Sequence, residues 1–148
     1  MADVSVSLFG PLDALLATGS RAEFVVLVLV VSNILTRKLA NDRYRRQAED
    51  GADALSRHPL HIASTWGLVL ASFYFLTLNH HSGVVLTVLV LGMFVADFFE
   101  FESRKVEVRE DLPLERPSGA IVASLIVLLY AAYLSLFFVI APIWFQIV

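Results

Sequence analysis

From Gly119 to Val148 the chain carries no formally charged side chain. This stretch, GAIVASLIVLLYAAYLSLFFVIAPIWFQIV, is 30 residues long. A helix rises about 1.5 Å per residue, so about 20 apolar residues cross the hydrocarbon core of a bilayer. The competing reading is a buried core helix of a soluble domain, but soluble helices seldom stay apolar all round for such a length. A transmembrane helix is expected, and the rest of the chain is then read with lipid as its solvent. In lipid every backbone N–H and C=O must be bonded within its own element, which leaves helices or closed barrels.

Three further apolar stretches fit the helical solution. An all-α integral membrane protein is expected, with four transmembrane helices in antiparallel hairpins and one membrane domain over residues 1–148. The spans are placed at about 22–39, 60–79, 84–99 and 119–141, with polar loops at 40–59 and 100–118. The centre of the first, FVVLVLVV, is β-branched and could be a buried strand, but an open strand in lipid leaves its backbone unpaired. Its polar continuation, LTRKLANDRYRRQAED, suggests that the helix runs on beyond the membrane. Pro59 suits the first turn of the second span, with Ser56 or His58 as its cap. His80-His81-Ser82-Gly83 is read as a tight turn, and Pro113 and Pro117 end any helix before the fourth span. Pro142 is expected to kink that span, leaving Trp144 and Phe145 for the interfacial belt. Ahead of the first span, Pro11 to Leu16 forms a short surface helix closed by Gly19, or an unstructured arm.

Orientation follows from the basic residues. The first polar loop holds Arg37, Lys38, Arg43, Arg45, Arg46 and Arg57; the second holds Arg104, Lys105, Arg109 and Arg116. Only Arg21, of 11 basic residues, falls on the other side. The positive-inside rule makes the two loops cytoplasmic and puts both termini outside the cell membrane. The N-terminus lacks the early basic residues of a secretory signal and is expected to be retained.

Composition excludes several chemistries. The chain has no cysteine, so disulfides, thiolate metal sites and iron–sulfur ligation by this chain are ruled out. A net charge of −3 argues against nucleic acid as a partner. Nine arginines against two lysines, with acidic loops, suit a salt-loving organism or a GC-rich genome. The sequence has no GxSxG, HExxH, P-loop or dinucleotide fingerprint, and no catalytic residue is assigned.

The candidates for chemistry are few. His58 and His61 are spaced i, i+3 at the start of the second span, and His80 and His81 sit at its far end. About 20 residues of helix separate the pairs by roughly 30 Å, so the four cannot share a site. Bis-histidine haem ligation needs histidines on two facing helices, and this chain has them on one. The bland reading is interfacial histidines meeting water; the sharper one is a metal, proton-relay or partner contact. Asp97 and Glu100, with Glu102, lie at the cytoplasmic edge of the third span, where they could pair with Arg37, Lys38 or Arg104, or take up protons or a quinone headgroup. Asn33 is the intramembrane residue most costly to leave facing lipid, so it should bond a neighbouring helix. Small residues at Gly67/Ala71, Gly119/Ala123 and Ala131/Ser135 offer close-packing faces. Aromatics gather in spans two and four, as packing bulk or as the lining of a quinone or lipid groove.

Several stretches occur together: Ser7-Leu8-Phe9-Gly10-Pro11-Leu12-Asp13, Ser56-Arg57-His58-Pro59-Leu60-His61, Leu70 to Leu78 as LASFYFLTL, Asp97-Phe98-Phe99-Glu100-Phe101-Glu102, and Leu114-Glu115-Arg116-Pro117. Over nearly its whole length the chain resembles a family of small uncharacterised membrane proteins of haloarchaea. The resemblance implies an association with cytochrome bc-type respiratory complexes, and hence a non-catalytic accessory subunit packed against cytochrome b. Haem and iron–sulfur groups would then belong to partner subunits, with no cofactor on this chain. The Pro-Glu-Trp-Tyr motif of the quinol-oxidising cytochrome b fragment is absent. Two other readings stay open: a small self-associating transporter or channel, with Asn33 and the hydroxyls of span two lining a path, and a membrane enzyme or haem protein using His58, His61 and Asp97.

Overall fold

The computed structural model describes residues 9–16 and 21–148, without the side chain of Phe138. Gly19, expected to end the first helix, lies outside the described residues. The elements are α1 (Pro11–Leu16), α2 (Arg21–Ala48), a 3-10 turn (Ala52–Ala54), α3 (Pro59–Leu78), α4 (His80–Arg109) and α5 (Ser118–Ile147). No strand occurs among the described residues. The β-branched run of α2 is helical, not a strand.

Helices α2 to α5 form a closed ring: α3 packs between α2 and α4, and α5 packs between α4 and α2. Side-chain bonds fix their antiparallel order. At one end Ser135 Oγ of α5 donates to the Glu23 carbonyl of α2. At the other, Arg37 of α2 meets Asp97 of α4, and Glu100 of α4 meets Gly119 of α5. The core between these levels includes Val30, Leu68, Phe75, Leu86, Val90, Met93, Val127 and Ala131. In lipid the burial of such groups releases little water, so close packing and interhelical hydrogen bonds hold the ring.

Among the described residues three helical segments are long and apolar enough to cross a membrane: Pro59–Leu78, His80–Arg109 and Ser118–Phe137. A multi-pass membrane protein requires this. Helix α2 is not among them; Arg37 and Lys38 interrupt its apolar run well before its end at Ala48.

The structure corrects several local expectations. His80 to Gly83 are not a turn but the first turn of α4; only Asn79 stands between α3 and α4. The reversal is this short because Gly83 lies against the Leu76 backbone, and any Cβ at 83 would overlap Leu76 Cα. Neither Ser56 nor His58 caps α3 with its side chain: His58 is the N-cap residue but makes no such bond, and Ser56 Oγ instead accepts from Arg43 and Gln47. The Gly67 face is open, with nothing within 4 Å of a Cβ placed there, so Gly67/Ala71 is not a close-packing face. Ala131 and Ser135 are fully buried. Helix α5 continues past Pro142 to Ile147.

Candidate functional site

The site grows from two helical triplets of the same spacing. Asn33, Thr36 and Arg37 lie at i, i+3, i+4 on α2; His61, Ser64 and Thr65 repeat that spacing on α3. Residues so spaced share one helical face. The two faces meet. Asn33 Nδ2 donates to Ser64 Oγ and Thr65 Oγ1, both at 3.0 Å. Thr36 Oγ1 lies 2.8 Å from Ser64 Oγ and 3.0 Å from His61 Nδ1.

Helix α4 adds one residue to this pair of faces, Asp97. Arg37 Nη1 donates to Asp97 Oδ1 at 2.6 Å and Nη2 to Oδ2 at 3.0 Å, a bidentate fork. Arg37 Nη2 also donates to Asn33 Oδ1 at 3.1 Å. His61 Nε2 is 3.1 Å from Asp97 Oδ2. Facing a carboxylate, Nε2 is best satisfied as the protonated nitrogen, which leaves Nδ1 an acceptor beside the Thr36 hydroxyl, whose one hydrogen also faces the Asn33 carbonyl at 2.9 Å. Arg37 is only 7% exposed. A lone guanidinium at that burial would be very costly; paired with Asp97 it forms a neutral unit at the membrane edge.

The other candidates take different places. Glu100 Oε1 accepts from the Gly119 N–H at 3.1 Å and so caps the start of α5. That is why residue 119 is small: a Cβ there would lie 3.0 Å from the same oxygen. His58 stays apart from His61; its backbone N–H donates to Tyr44 Oη at 3.3 Å, and its own Nδ1 is buried without a hydrogen-bond partner. Burial pushes the Tyr44 phenol above its ordinary value, so it stays protonated. His80 and His81 are exposed at the opposite end. Among the described residues no group of three or more His, Asp or Glu side chains gathers as metal ligands would.

Beside the Arg37–Asp97 pair a cleft of about 210 Å³ opens between α2, α3 and α4. Its membrane-side wall is apolar, with Ile62, Trp66 and Phe94; the Trp66 and Phe94 rings lie 5.4 Å apart. Its outer wall is cationic and aromatic. The Arg57 guanidinium lies over the Phe101 ring at 4.3 Å and the Phe98 ring at 5.2 Å. Arg104, 3% exposed, donates to Glu107 Oε2 at 3.2 Å and to the Glu115 carbonyl, tying the 110–117 connection to α4.

Residues 4–148 match the family model described as Domain of unknown function (DUF7313). The chain belongs to that family. No curated protein and no solved structure matches it. The match takes in every element of the DUF7313 bundle described above, from α1 to α5. Thr36 was not singled out in the sequence, and Ser64 and Arg104 only in passing. The signal that could have found the first two is the repeated i, i+3, i+4 polar spacing in NILTR and HIAST.

Proposed function

We propose that this chain is a four-span membrane protein, both termini outside, serving as a non-catalytic accessory subunit of a membrane respiratory complex of cytochrome bc type. Helix α2 is the fourth span. In support, it lies along α3 and α5 from Glu23 to Arg37, about 20 Å of helix. It also turns Phe24, Val28, Val31 and Leu35 outward, each at least 40% exposed. The two polar connections, with ten of the 11 basic residues on their side, face the cytoplasm.

One observation carries the accessory reading. The polar groups at membrane depth, Asn33, Arg37, His61 and Asp97, are bonded to one another across three helices. They work as a lock, which leaves a scaffold whose outer faces are apolar on all four long helices and suited to lateral packing. The cytochrome bc assignment rests on the family resemblance; haem and iron–sulfur chemistry would reside in the partner subunits.

The test is extraction of a tagged copy from native membranes at high salt, followed by mass spectrometry and a visible spectrum of the intact species. Cytochrome b and an iron–sulfur protein are expected in fixed ratio with it. A colourless oligomer of this chain alone would reject the subunit reading and direct attention to solute flux in liposomes.

A further inference from the structure

We infer that the cleft beside Arg37 and Asp97 is a binding site for an acidic phospholipid, with the phosphate headgroup at Arg57 and Arg104 and the acyl chains along Ile62, Trp66 and Phe94. This goes beyond any role as a subunit and needs no partner protein.

Three observations converge on it. First, the cleft is divided as an amphiphile is divided. Its apolar residues Ile62, Trp66 and Phe94 lie roughly one and a half to three turns membrane-ward of Arg57 and Arg104 along the chain. Trp66 and Phe98 are about half exposed, at 51% and 46%, so the cleft opens toward the lipid side of the bundle. A soluble anion has no use for that apolar wall.

Second, the charged wall holds donors that the chain leaves without acceptors. Three buried side-chain polar atoms among the described residues have no hydrogen-bond partner, and two of them, Arg37 Nε and Arg104 Nη2, belong to residues lining this cleft. Glu100 Oε2 stands 3.8 Å from Arg104 Nη2, beyond hydrogen-bond reach, while Oε1 of the same carboxylate accepts from Gly119. Buried guanidinium N–H groups in native proteins nearly always find an acceptor. The carboxylates on the lining do not repel a phosphate oxygen as free charges, because Asp97 is neutralised by Arg37 and Glu100 is held by Gly119 and Arg104.

Third, Arg57 is pre-positioned at the mouth. Its guanidinium is stacked on two rings and pairs at long range with Glu102, 3.8 Å away. At 33% exposure its charge remains reachable. Guanidinium groups on α2, α4 and the loop before α3 therefore surround one cavity. Its volume suits a headgroup and not a whole lipid, whose chains would lie on the exposed rings.

The experiment uses the full chain in neutral detergent, titrated with phosphatidylglycerol, with phosphatidylcholine of the same acyl chains, and with inorganic phosphate, read by native mass spectrometry and by melting temperature. Phosphatidylglycerol is expected to bind at least about tenfold more tightly than phosphatidylcholine, and Arg57→Gln to cost about fivefold of that, as one interfacial guanidinium would. Arg57→Gln should lower the lipid-free melting temperature slightly by removing the stacking on Phe98 and Phe101, so the readout is the ratio of the two lipids' affinities within each variant. Equal binding of the two lipids would overturn the site. So would an undiminished preference in Arg57→Gln. Inorganic phosphate acting as strongly as the lipid would overturn the lipid assignment.

Discussion

Replacing Asp97 with asparagine is expected to lower the stability of the bundle by about 3–5 kcal/mol, the cost of leaving a buried guanidinium without its charge partner. Asparagine keeps the shape of the side chain but removes the charge and one of the two acceptors that Arg37 uses. The reverse change, Arg37→Gln, should cost a similar amount, because Asp97 would then face only His61. Because one interaction is lost in both, the two effects should not add. A coupling of more than about 2 kcal/mol is expected in the double-mutant cycle, well outside the range seen for independent sites. Arg37→Met with Asp97→Leu should recover much of the loss, since a packed apolar pair often matches a buried ion pair. The comparison variant His61→Ala removes one hydrogen bond to the Asp97 carboxylate and should cost about 1.5–3 kcal/mol, less than either charge change. Reversible unfolding in mixed micelles measures all five variants. Additive losses at 37 and 97 would show that the fork does not hold α2 to α4.

The second large effect is expected at Gly83. The α3–α4 reversal uses a single non-helical residue, Asn79, and therefore brings the first turn of α4 onto the last turn of α3. A Cβ at 83 would overlap Leu76 Cα and lie 2.9 Å from Leu76 N. Backbone atoms cannot swing aside as the tip of a side chain can, so the helices must separate. Gly83→Val is expected to cost about 2–4 kcal/mol, at the upper end for overpacking. Gly67→Ala and Gly92→Ala are the matched controls. Nothing stands within 4 Å of a Cβ at either position, so alanine there should be neutral or stabilise by up to about 1 kcal/mol through helix propensity. If Gly83→Ala melted together with Gly67→Ala, the close crossing would be refuted.

These two sites also mark what was and was not readable in the residues. The helices were legible because lipid allows few alternatives: long uncharged runs bounded by Arg, Pro and polar clusters place the starts of α3, α4 and α5 within four residues, while α4 and α5 run beyond their expected ends at 99 and 141, to Arg109 and Ile147. The extension of α2 to Ala48 was legible from its polar continuation. The Arg37–Asp97 pair was one of several charge pairings that the sequence left open, since residues 60 apart carry no mark of their register. In the ring α3 lies between α2 and α4, and Arg37 then meets Asp97 while Arg104 pairs with Glu100 along α4. The triplets Asn33/Thr36/Arg37 and His61/Ser64/Thr65 did carry a signal in their equal spacing. Gly83 carried none. A glycine after two histidines and a serine reads as turn chemistry, and only the three-dimensional crossing shows that it serves contact and not backbone freedom. The cleft was likewise hidden, because Arg57, Trp66 and Arg104 come from three elements with no common sequence pattern.

The account depends most on α2 crossing the membrane with α3, α4 and α5, so that the lock sits at the cytoplasmic edge. The absence of native cysteine makes this directly measurable. Single cysteines at Leu15, Asp50, His81 and Glu110, all exposed positions, would be probed in intact cells with a membrane-impermeant maleimide and again after lysis. Positions 15 and 81 should label from outside, and positions 50 and 110 only after lysis. Labelling of position 15 only after lysis, together with position 50, would show that α2 does not cross and would contradict the four-span bundle.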